Sequence, residues 1–537
     1  MKTTTKLLAV VLCIFMLASM FMGCNSGTSN TPTNDTEQLT NNENATTDRA
    51  EDTVPEDTIP EDTTPEDTTP KDTTPEDTTP ESTTPESTTP EDTMPEDTTP
   101  NESTAGLVFT FSEYEQTYTV SGYEGTATKV VILSEYNGFP VVGISEYAFA
   151  DCCDLTSITI PESVKSISPD AFYNCSGLSS ITVHDNNSAY YSSGNCLIER
   201  YTAKIILGCK TSVIPQEGDI VRIGDYAFSG CTGLTSITIP NGVRSIGNYA
   251  FSGCTGLTSI AISHDVDSIG LHAFEGCSSL TSITIPESVT RIGYNAFKGC
   301  SVLTSITIPN SVTNISDGMF QDCSSLTSIT IPDSVTRIGS RAFKGCSSLT
   351  SITIGNGVTS IGNNVFCLCT SLTSISMASG NPKYHSVGNC IIETETKTLI
   401  AGCKSSVIPV DGSVTSIGDL AFYGCTGLTS ISIPSGVRGI GNNAFKGCSS
   451  LTSVTISNGV RSIGDYAFED CVGFSSITIP DSVTSIGDHA FNRCKRLKEI
   501  TYEGKMTWWS FVAKGTEWAC DIPATKVVCS DGTVPLE

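Results

Sequence analysis

The sequence predicts a solenoid, a stack of short coils in which each coil adds one strand to a continuous parallel β-sheet. Three observations predict it. From about residue 107 the chain repeats every 23 residues, isoleucine alternates with serine or threonine inside each unit, and most units carry an Ala-Phe pair with a cysteine three residues after the phenylalanine. A 23-residue unit is too short to bury its own apolar side chains, so neighbouring units must stack.

The pattern of residues 1–23 predicts a signal peptide at the N-terminus. Lys2 and Lys6 precede an uncharged apolar run at 7–22, which is too short for a confident transmembrane helix. The run ends in Gly-Cys and resembles the lipobox of bacterial lipoproteins, a resemblance that implies lipidation of Cys24. Ordinary signal cleavage nearby is the alternative.

Residues 24–104 form the next segment, which carries a pentapeptide repeated ten times between 51 and 100, as in Glu-Asp-Thr-Thr-Pro. Proline at every fifth position and almost no apolar side chains predict a disordered, extended stalk. As polyproline II, at ~3.1 Å per residue, the fifty residues would reach about 150 Å. We interpret the segment as a stalk that lifts the body off a membrane; a passive linker is the alternative.

The acidity of the chain is concentrated in this stalk. Of the net charge of -29, residues 25–104 contribute 22 acids against Arg49 and Lys71, or -20. Nucleic-acid binding would require a basic patch or stripe, which this distribution does not provide. We therefore expect protein or glycan partners and no nucleic acid.

A representative coil runs from Leu280 to Cys300. Ile283 and Ile285 alternate with Ser282 and Thr284, which is the period-two pattern of a strand with one buried face. The next proline ends the strand, and Gly293 is expected to permit the turn into the Ala-Phe pair. The repeat phenylalanines recur at a spacing of 23 residues, with two spacings of 56: Phe149, Phe172, Phe228, Phe251, Phe274, Phe297, Phe320, Phe343, Phe366, Phe422, Phe445, Phe468 and Phe491.

The pattern LxxIxIPxxVxxIGxxAFxxC closely resembles the BspA-like (treponemal-type) leucine-rich repeats of bacterial and protozoan surface proteins, from about residue 107 to 502. This resemblance implies a leucine-rich-repeat solenoid, a curved right-handed coil with a parallel β-sheet. It also implies an N-terminal cap with the first coil at 105–150, a solenoid at 151–499 and a C-terminal cap at 500–537. Adhesion to host matrix glycoproteins is implied by family analogy alone.

Thirteen of the 23 cysteines lie three residues after a repeat phenylalanine. This regularity predicts a ladder of buried free thiols, because in-register neighbours point their Cβ atoms the same way and suit bridging poorly. The 23-residue spacing is unlike that of metal ligands, so we predict no metal site, with zinc at Cys367 and Cys369 as a remote alternative.

Both 56-residue spacings contain the same 33-residue insert, at 183–215 and 377–409, and the two copies align at an offset of 194. Each reads as a β-hairpin that brings two cysteines opposite each other. Cross-strand disulfides and free thiols both fit this pattern. The candidate pairs are Cys196 with Cys209, Cys390 with Cys403 and, in the C-terminal cap, Cys520 with Cys529.

Insertions in solenoids often form the binding face, and aromatic side chains dominate many interfaces. The candidate ligand contacts are Tyr190, Tyr191, Tyr384 and His385 on the inserts, and Trp508, Trp509 and Trp518 in the C-terminal cap. At ~4.8 Å per coil the inserts lie about 35 Å apart, close enough for one large ligand to bridge. The alternative is that the inserts brace the solenoid and the tryptophans close its end. The uniform Ser/Thr strand face is expected to contribute little.

Catalytic motifs for nucleophilic, metal-dependent or phosphate chemistry are missing from the sequence, and we expect no enzyme activity and no cofactor. The favoured function is a binding or adhesion protein, anchored by lipid to the outer face of the bacterial cell membrane, that binds a host extracellular matrix protein or surface glycan. A passive surface-coat or spacer protein is the second hypothesis.

Overall fold

The computed structural model describes residues 105–216 and 220–536. The predicted signal peptide, Cys24 and the stalk lie outside the described residues. The described chain is a parallel β-solenoid of about 18 turns, which confirms the predicted fold class. Its helix, Met506–Trp509, is a single turn, and no described helix has the length and apolar character needed to span a bilayer.

Strands of the isoleucine-rich segment stack into what we call the Ser/Thr row. Ser351 lies beside Ser374 and Ile352 beside Ile375, so identical positions of successive coils are in register. The isoleucines are buried and the hydroxyl side chains face outward, as predicted. The row contains Lys129–Val131, Ser157–Ile160, Ser180–Val183, Ser236–Thr238, Ser259–Ala261, Ser328–Ile331, Ser351–Ile354, Ser374–Met377, Ser430–Ile433, Ser453–Ile456, Ser476–Ile479, Glu499–Tyr502, Lys526–Cys529 and the antiparallel Gly532–Pro535.

Short strands on the return path of the coils, nearly all of two residues, form a second row. Ser245 pairs with Ser268 and Ile246 with Ile269, again in parallel. The row contains Phe139–Ile144, Ser166–Ile167, Arg222–Ile223, Ser245–Ile246, Ser268–Ile269, Arg291–Ile292, Asn314–Ile315, Arg337–Ile338, Ser360–Ile361, Ser416–Ile417, Gly439–Ile440, Ser462–Ile463, Ser485–Ile486 and Ala513–Lys514.

The Ala-Phe segment of each coil forms a third ladder between coils. The amide of Phe228 donates to the carbonyl of Ala250 at 2.7 Å, and the rings of Phe251 and Phe274 stack at 5.4 Å. The left-handed residues of the turn are those that flank the pair, such as Asn295 (φ 54°) and Gly299 (φ 73°). Gly293 was expected to permit the turn, but the structure gives a different reason for a glycine at this position. A Cβ at residue 293 would lie 2.5 Å from the backbone of Gly270, so the close approach of two coils excludes a side chain.

Both ends of the solenoid are capped. At the N-terminus, Leu107–Ser112 pairs antiparallel with Thr117–Tyr123, and Glu135–Tyr136 pairs antiparallel with Phe139–Ile144. At the C-terminus, Trp509 is buried against Tyr502 and Trp518, with ring centroids 5.0 and 5.7 Å away. These rings cover the apolar core that the last coil would otherwise expose.

Each insert is a three-stranded antiparallel meander whose last strand joins the second row. The first contains Tyr190–Ser193, Cys196–Glu199 and Lys204–Leu207, and the second contains Tyr384–Val387, Cys390–Glu393 and Thr398–Ala401. Leu197 faces the N-terminal core and its neighbour Ile198 faces the central core, and both are fully buried. Ile391 and Ile392 divide the central from the C-terminal core in the same way. The inserts are therefore internal walls, which favours the bracing interpretation.

Candidate functional site

The prediction of ligand contact is wrong for two insert residues, because the meanders bury them. Tyr190 is 2% exposed and Tyr384 is 5% exposed, so neither ring can meet a ligand at the surface. Their neighbours Tyr191 and His385 point the other way and are partly exposed. Alternation along a strand places only one of two adjacent side chains on a given face.

The two remaining insert residues, Tyr191 and His385, each contact a neighbouring side chain. The guanidinium of Arg200 lies 4.9 Å from the ring centroid of Tyr191. Nδ1 of His385 lies 2.9 Å from Oγ1 of Thr394, the residue that follows the adjacent strand. Both side chains therefore belong to ordered edges of the inserts and remain candidate contacts.

The tryptophans divide between core and surface. Trp509 is 3% exposed, which makes the prediction of ligand contact wrong for this residue. Trp518 is partly buried against the same core. Trp508 is half exposed and lies near Phe511, which is also exposed, so Trp508 keeps its place as a candidate contact.

The six cysteines proposed for disulfides are all free thiols in the structure: Cys196, Cys209, Cys390, Cys403, Cys520 and Cys529. In the first insert a β-bulge between Leu197 and Ile198 shifts the register, so that Leu197 pairs with Leu207 and Ile198 with Ile205. A one-residue shift sends side chains to opposite faces. Cys196 accordingly packs in the central core, whereas Cys209 packs in the N-terminal core.

A buried serine organises the loop that follows each meander. The hydroxyl of Ser212 accepts a hydrogen bond from the amide of Cys209 at 2.8 Å and donates one to the carbonyl of Asn195 at 2.6 Å. Ser406 makes the same two contacts in the second insert. Because these buried hydroxyls are satisfied, each loop is fixed in one conformation.

This fixed loop adds a valine to the Ser/Thr row. The amide of Lys210 donates to the carbonyl of Leu178, and the hydroxyl of Thr211 donates to the carbonyl of Ser179. The loop thus continues the row, with Val213 at an outward position where other coils carry threonine. Val213 is 66% exposed and its counterpart Val407 is 68% exposed.

Beside the second insert this substitution creates a groove, which we call the Val407 groove. It has a volume of about 420 Å³ and lies on the face that the sequence analysis expected to be uniform. Val407 and Val410 supply apolar surface, while the hydroxyls come from Ser430, Ser432, Ser453 and Thr455. The signal was available in the sequence: Ser-Val-Ile-Pro in both inserts aligns with Ile-Thr-Ile-Pro of the ordinary coil.

A charged residue, Asp411, follows Val410 of the Val407 groove in sequence. Contacts with Ser413 lower the pKa of Asp411, whose carboxylate accepts the amide of Ser413 at 2.9 Å, and His385 contributes to the same shift. His385 thus lies close enough to Asp411 to act on its charge. Lys383 and Glu393 form an ion pair at 3.4 Å on the same insert.

Several solved structures are similar to this chain. The chain is similar to a leucine-rich-repeat protein from Bacteroides ovatus ATCC 8483, at 27% identity over 76% of this chain and 89% of that chain, with a TM-score of 0.41. It is similar to a leucine rich cell surface protein from Faecalibacterium prausnitzii A2-165, at 26% identity over 76% and 96%, with a TM-score of 0.41. A leucine-rich-repeat protein of T. pallidum is 24% identical over 50% and 88%, with a TM-score of 0.23.

No curated protein matches the chain significantly. The family model described as "BspA type Leucine rich repeat region (6 copies)" matches residues 142–204, 208–324, 290–400 and 393–510, which together exceed half of the chain. The chain therefore belongs to the BspA-type leucine-rich-repeat family.

Proposed function

We propose that this chain is a cell-surface binding protein that attaches to a host matrix protein or surface glycan through the Ser/Thr row at its two valine positions. In this proposal Cys24 carries the lipid anchor and residues 24–104 hold the solenoid away from the outer face of the membrane. The observation that carries the proposal is the pair of exposed valines, Val213 and Val407, in a row of hydroxyl side chains.

The chemistry of the Val407 groove suits a glycan or an extended glycoprotein segment. A sugar ring presents apolar C–H faces and a rim of hydroxyls, and the groove offers valine side chains beside serine and threonine hydroxyls. Binding sites generally combine apolar walls with a few placed polar groups. Tyr191, His385, Trp508 and Trp518 are candidates for additional contacts outside the groove.

The two valine positions also support bivalent binding. The inserts lie about 35 Å apart at ~4.8 Å per coil, so one polymer can engage both. The second contact is then intramolecular, and avidity exceeds the affinity of either position. Loss of both positions should therefore cost far more than twice the loss of one.

The test is an array of matrix proteins and glycans probed with the mature chain and its variants. Val407→Lys should weaken binding about tenfold, the cost of roughly 1.4 kcal/mol in one site. Adding Val213→Lys should abolish binding. The matched control is Thr330→Lys, on the same row away from both inserts, which should leave binding unchanged.

The second candidate function is a passive surface-coat or spacer protein. The near-identity of the coils favours it, because most of the Ser/Thr row repeats the same two hydroxyls. An array without any bound ligand would support the spacer. If a ligand still binds Val213→Lys/Val407→Lys at full strength but no longer binds Thr330→Lys, the binding site lies elsewhere on the Ser/Thr row.

A further inference from the structure

The last complete coil and the C-terminal cap bring three metal-ligating side chains together. Nδ1 of His489, a carboxylate oxygen of Glu517 and Sγ of Cys520 all lie within 4.8 Å of one another. Nδ1 of His489 is 3.6 Å from Oε2 of Glu517, and Sγ of Cys520 is 3.7 Å from the same oxygen. Histidine, carboxylate and cysteine are the three ligand types that zinc uses in proteins.

The backbone of the solenoid holds these side chains at neighbouring positions. The amide of His489 donates to the carbonyl of Thr516 at 3.0 Å, which aligns His489 with Glu517 in the next turn. Both residues are left-handed, with φ of 54° and 48°. The pairing is part of the same ladder that runs through the Ala-Phe segments, so the geometry does not depend on a mobile loop.

Cys520 lies outside the cysteine ladder. The ladder thiol of the preceding coil, Cys494, is buried. The amide of Arg493 donates to the carbonyl of Cys520, which aligns Cys520 with the outward-facing Asn492, two residues before the ladder position. Its thiol therefore leaves the core and meets Glu517.

His272 provides an internal comparison, because it occupies the position of His489 in an earlier coil. Nδ1 of His272 lies 2.5 Å from Oε2 of Glu275, and Lys298 contacts the other carboxylate oxygen at 2.8 Å. At His489 the residue three positions later is Asn492. Nδ1 of His489 is buried without a hydrogen-bond partner, and its 3.6 Å separation from Glu517 is too long for a hydrogen bond. An unpartnered buried nitrogen is costly unless something binds it.

We propose that His489, Glu517 and Cys520 form a binding site for a divalent transition-metal cation, with zinc as the best fit. Zinc bonds of about 2.0–2.1 Å to nitrogen, 2.0–2.2 Å to oxygen and 2.3 Å to sulfur imply tetrahedral ligand separations of roughly 3.3–3.7 Å. The separations of 3.6 and 3.7 Å agree with that range. Three protein ligands leave the fourth position to water.

The thiol of Cys520 has a hydrogen-bond partner in the metal-free protein. Sγ donates to Oδ1 of Asn492 at 3.0 Å, and the amide nitrogen of Asn492 donates to Glu469 at 3.2 Å. The proton in the first contact is the one that leaves when the metal binds, so this hydrogen bond is exchanged for the bond from sulfur to the cation.

The thiolate of Cys520, and not its thiol, would bind the cation. On binding, the S–H bond breaks, the sulfur electron pair forms the bond to the metal, and the proton is released to the buffer. One proton per cysteine ligand is therefore expected.

The site would link the cap to the solenoid. His489 belongs to the last complete coil, whereas Glu517 and Cys520 belong to the cap, so a shared cation ties the two together. A ligand that binds only the folded state stabilises it by mass action. The ligands come from two turns and match no short spacing motif, so the sequence alone does not indicate the site.

The experiment is a cobalt titration of the reduced mature chain, followed by competition with zinc. A thiolate-to-cobalt charge-transfer band should appear, saturate at one equivalent and disappear when zinc is added. Cys520→Ser should abolish the band, and His489→Gln should weaken cobalt binding tenfold or more. Zinc should raise the melting temperature of the unmodified chain but not that of Cys520→Ser.

Two matched controls separate this site from other thiols and histidines. Cys153→Ser removes the exposed thiol at the opposite end of the solenoid, and His272→Gln removes the histidine whose partner is Glu275. Both should keep the band at full strength. If Cys520→Ser is poorly folded, Glu517→Gln on the exposed ligand gives the second reading and should weaken binding by a similar factor. No charge-transfer band, or a band that survives Cys520→Ser, would overturn the proposal.

Discussion

The thiol of Cys254 donates a hydrogen bond to the carbonyl oxygen of Phe228 in the preceding coil, with Sγ and O 3.0 Å apart. The same carbonyl also accepts the amide of Cys231 at 3.1 Å. The contact recurs along the solenoid, and each cysteine thus links two coils without a covalent bond. Its other instances are Cys175, Cys277, Cys300, Cys323, Cys346, Cys369, Cys448, Cys471 and Cys494, at 3.0–3.3 Å.

Thiol reagents should therefore miss the ladder in the folded protein. Burial raises the pKa of Cys254, Cys300 and Cys346 from 9.0 to about 12, and the reactive thiolate is scarce at neutral pH. Mass spectrometry should find Cys153 labelled first, with the ladder labelled only in denaturant. Disulfides between consecutive ladder cysteines, such as Cys254 with Cys277, would contradict this prediction.

The same shifts predict loss of stability in alkali. Below pH 9 the thiols are protonated in both states, so their contribution is fully present. Between pH 9 and about 12 the unfolded thiols ionise while the folded ones stay protonated, so each thiol lowers the free energy of unfolding by up to about 1.4 kcal/mol per pH unit. Urea midpoints measured against pH should fall in this window, and less steeply in Cys254→Ser/Cys300→Ser. A pH dependence unchanged by the double substitution would refute the assignment.

Local pattern and period were sufficient to predict the coil. Ile283 and Ile285 had to face inward because they alternate with hydroxyl residues, and the fixed spacing of Phe and Cys required ladders. These features depend on contacts that repeat at every coil. Each copy of the repeat therefore reinforced the same interpretation.

The inserts were harder to predict because their faces depend on the whole stack. The hairpin was expected, but Cys196-Leu197-Ile198 is apolar without alternation, which is the pattern of a strand buried on both sides. A hairpin on the surface was nevertheless compatible with the same residues, and only the packing of the whole stack makes the insert an internal wall. The assignment of Cys196 and Cys209 to different cores and the burial of Tyr190 both follow from this packing, which neither hairpin residues nor turn length specify.

Because the second insert is an internal wall, two substitutions in it should differ sharply in their effect on stability. Ile392 is fully buried between two other strands, so Ile392→Ala should cost about 2–5 kcal/mol. Val387 is 42% exposed on the same meander, and Val387→Ala should change stability by less than about 0.5 kcal/mol. Urea denaturation of the two variants makes the comparison. Equal losses of stability in the two variants would mean that Ile392 does not pack as part of the core.

The anchor is tested separately. If Cys24 is lipidated, acyl chains contribute ~0.8 kcal/mol per buried methylene and hold the protein at the membrane. Cys24→Ala should then release the chain into the medium, as fractionation and gel mobility would show. A variant that remains membrane-bound with unchanged mobility would exclude lipidation at this residue.

The position before the Ala-Phe pair looks freely variable in sequence, yet it is left-handed in most coils. Its φ values lie between 48° and 62° at Tyr147, Tyr226, Tyr249, His272, Asn295, Gly318, Arg341, Asn364, Leu420, Asn443, Tyr466, His489 and Glu517. The side chains share no chemistry, so the sequence gives little sign of the constraint. The constraint is in the backbone, because the amide of Arg341 must reach the carbonyl of Asn363 in the next coil.

Substitutions at Arg341 should expose this constraint. β-branched residues are poorly tolerated in the left-handed region, so Arg341→Val should cost about 1–2 kcal/mol, whereas Arg341→Asn should be neutral or slightly stabilising. Arg337 is the matched control: it lies in the second row of the same coil, is exposed, and pairs with Asp317 at 3.0 Å. Arg337→Val loses only a surface ion pair, at most about 1 kcal/mol, and gains strand propensity. The melting temperatures of the three variants test this prediction. If Arg341→Val is as stable as Arg337→Val, the backbone of the turn adapts to the side chain and the proposed constraint is absent.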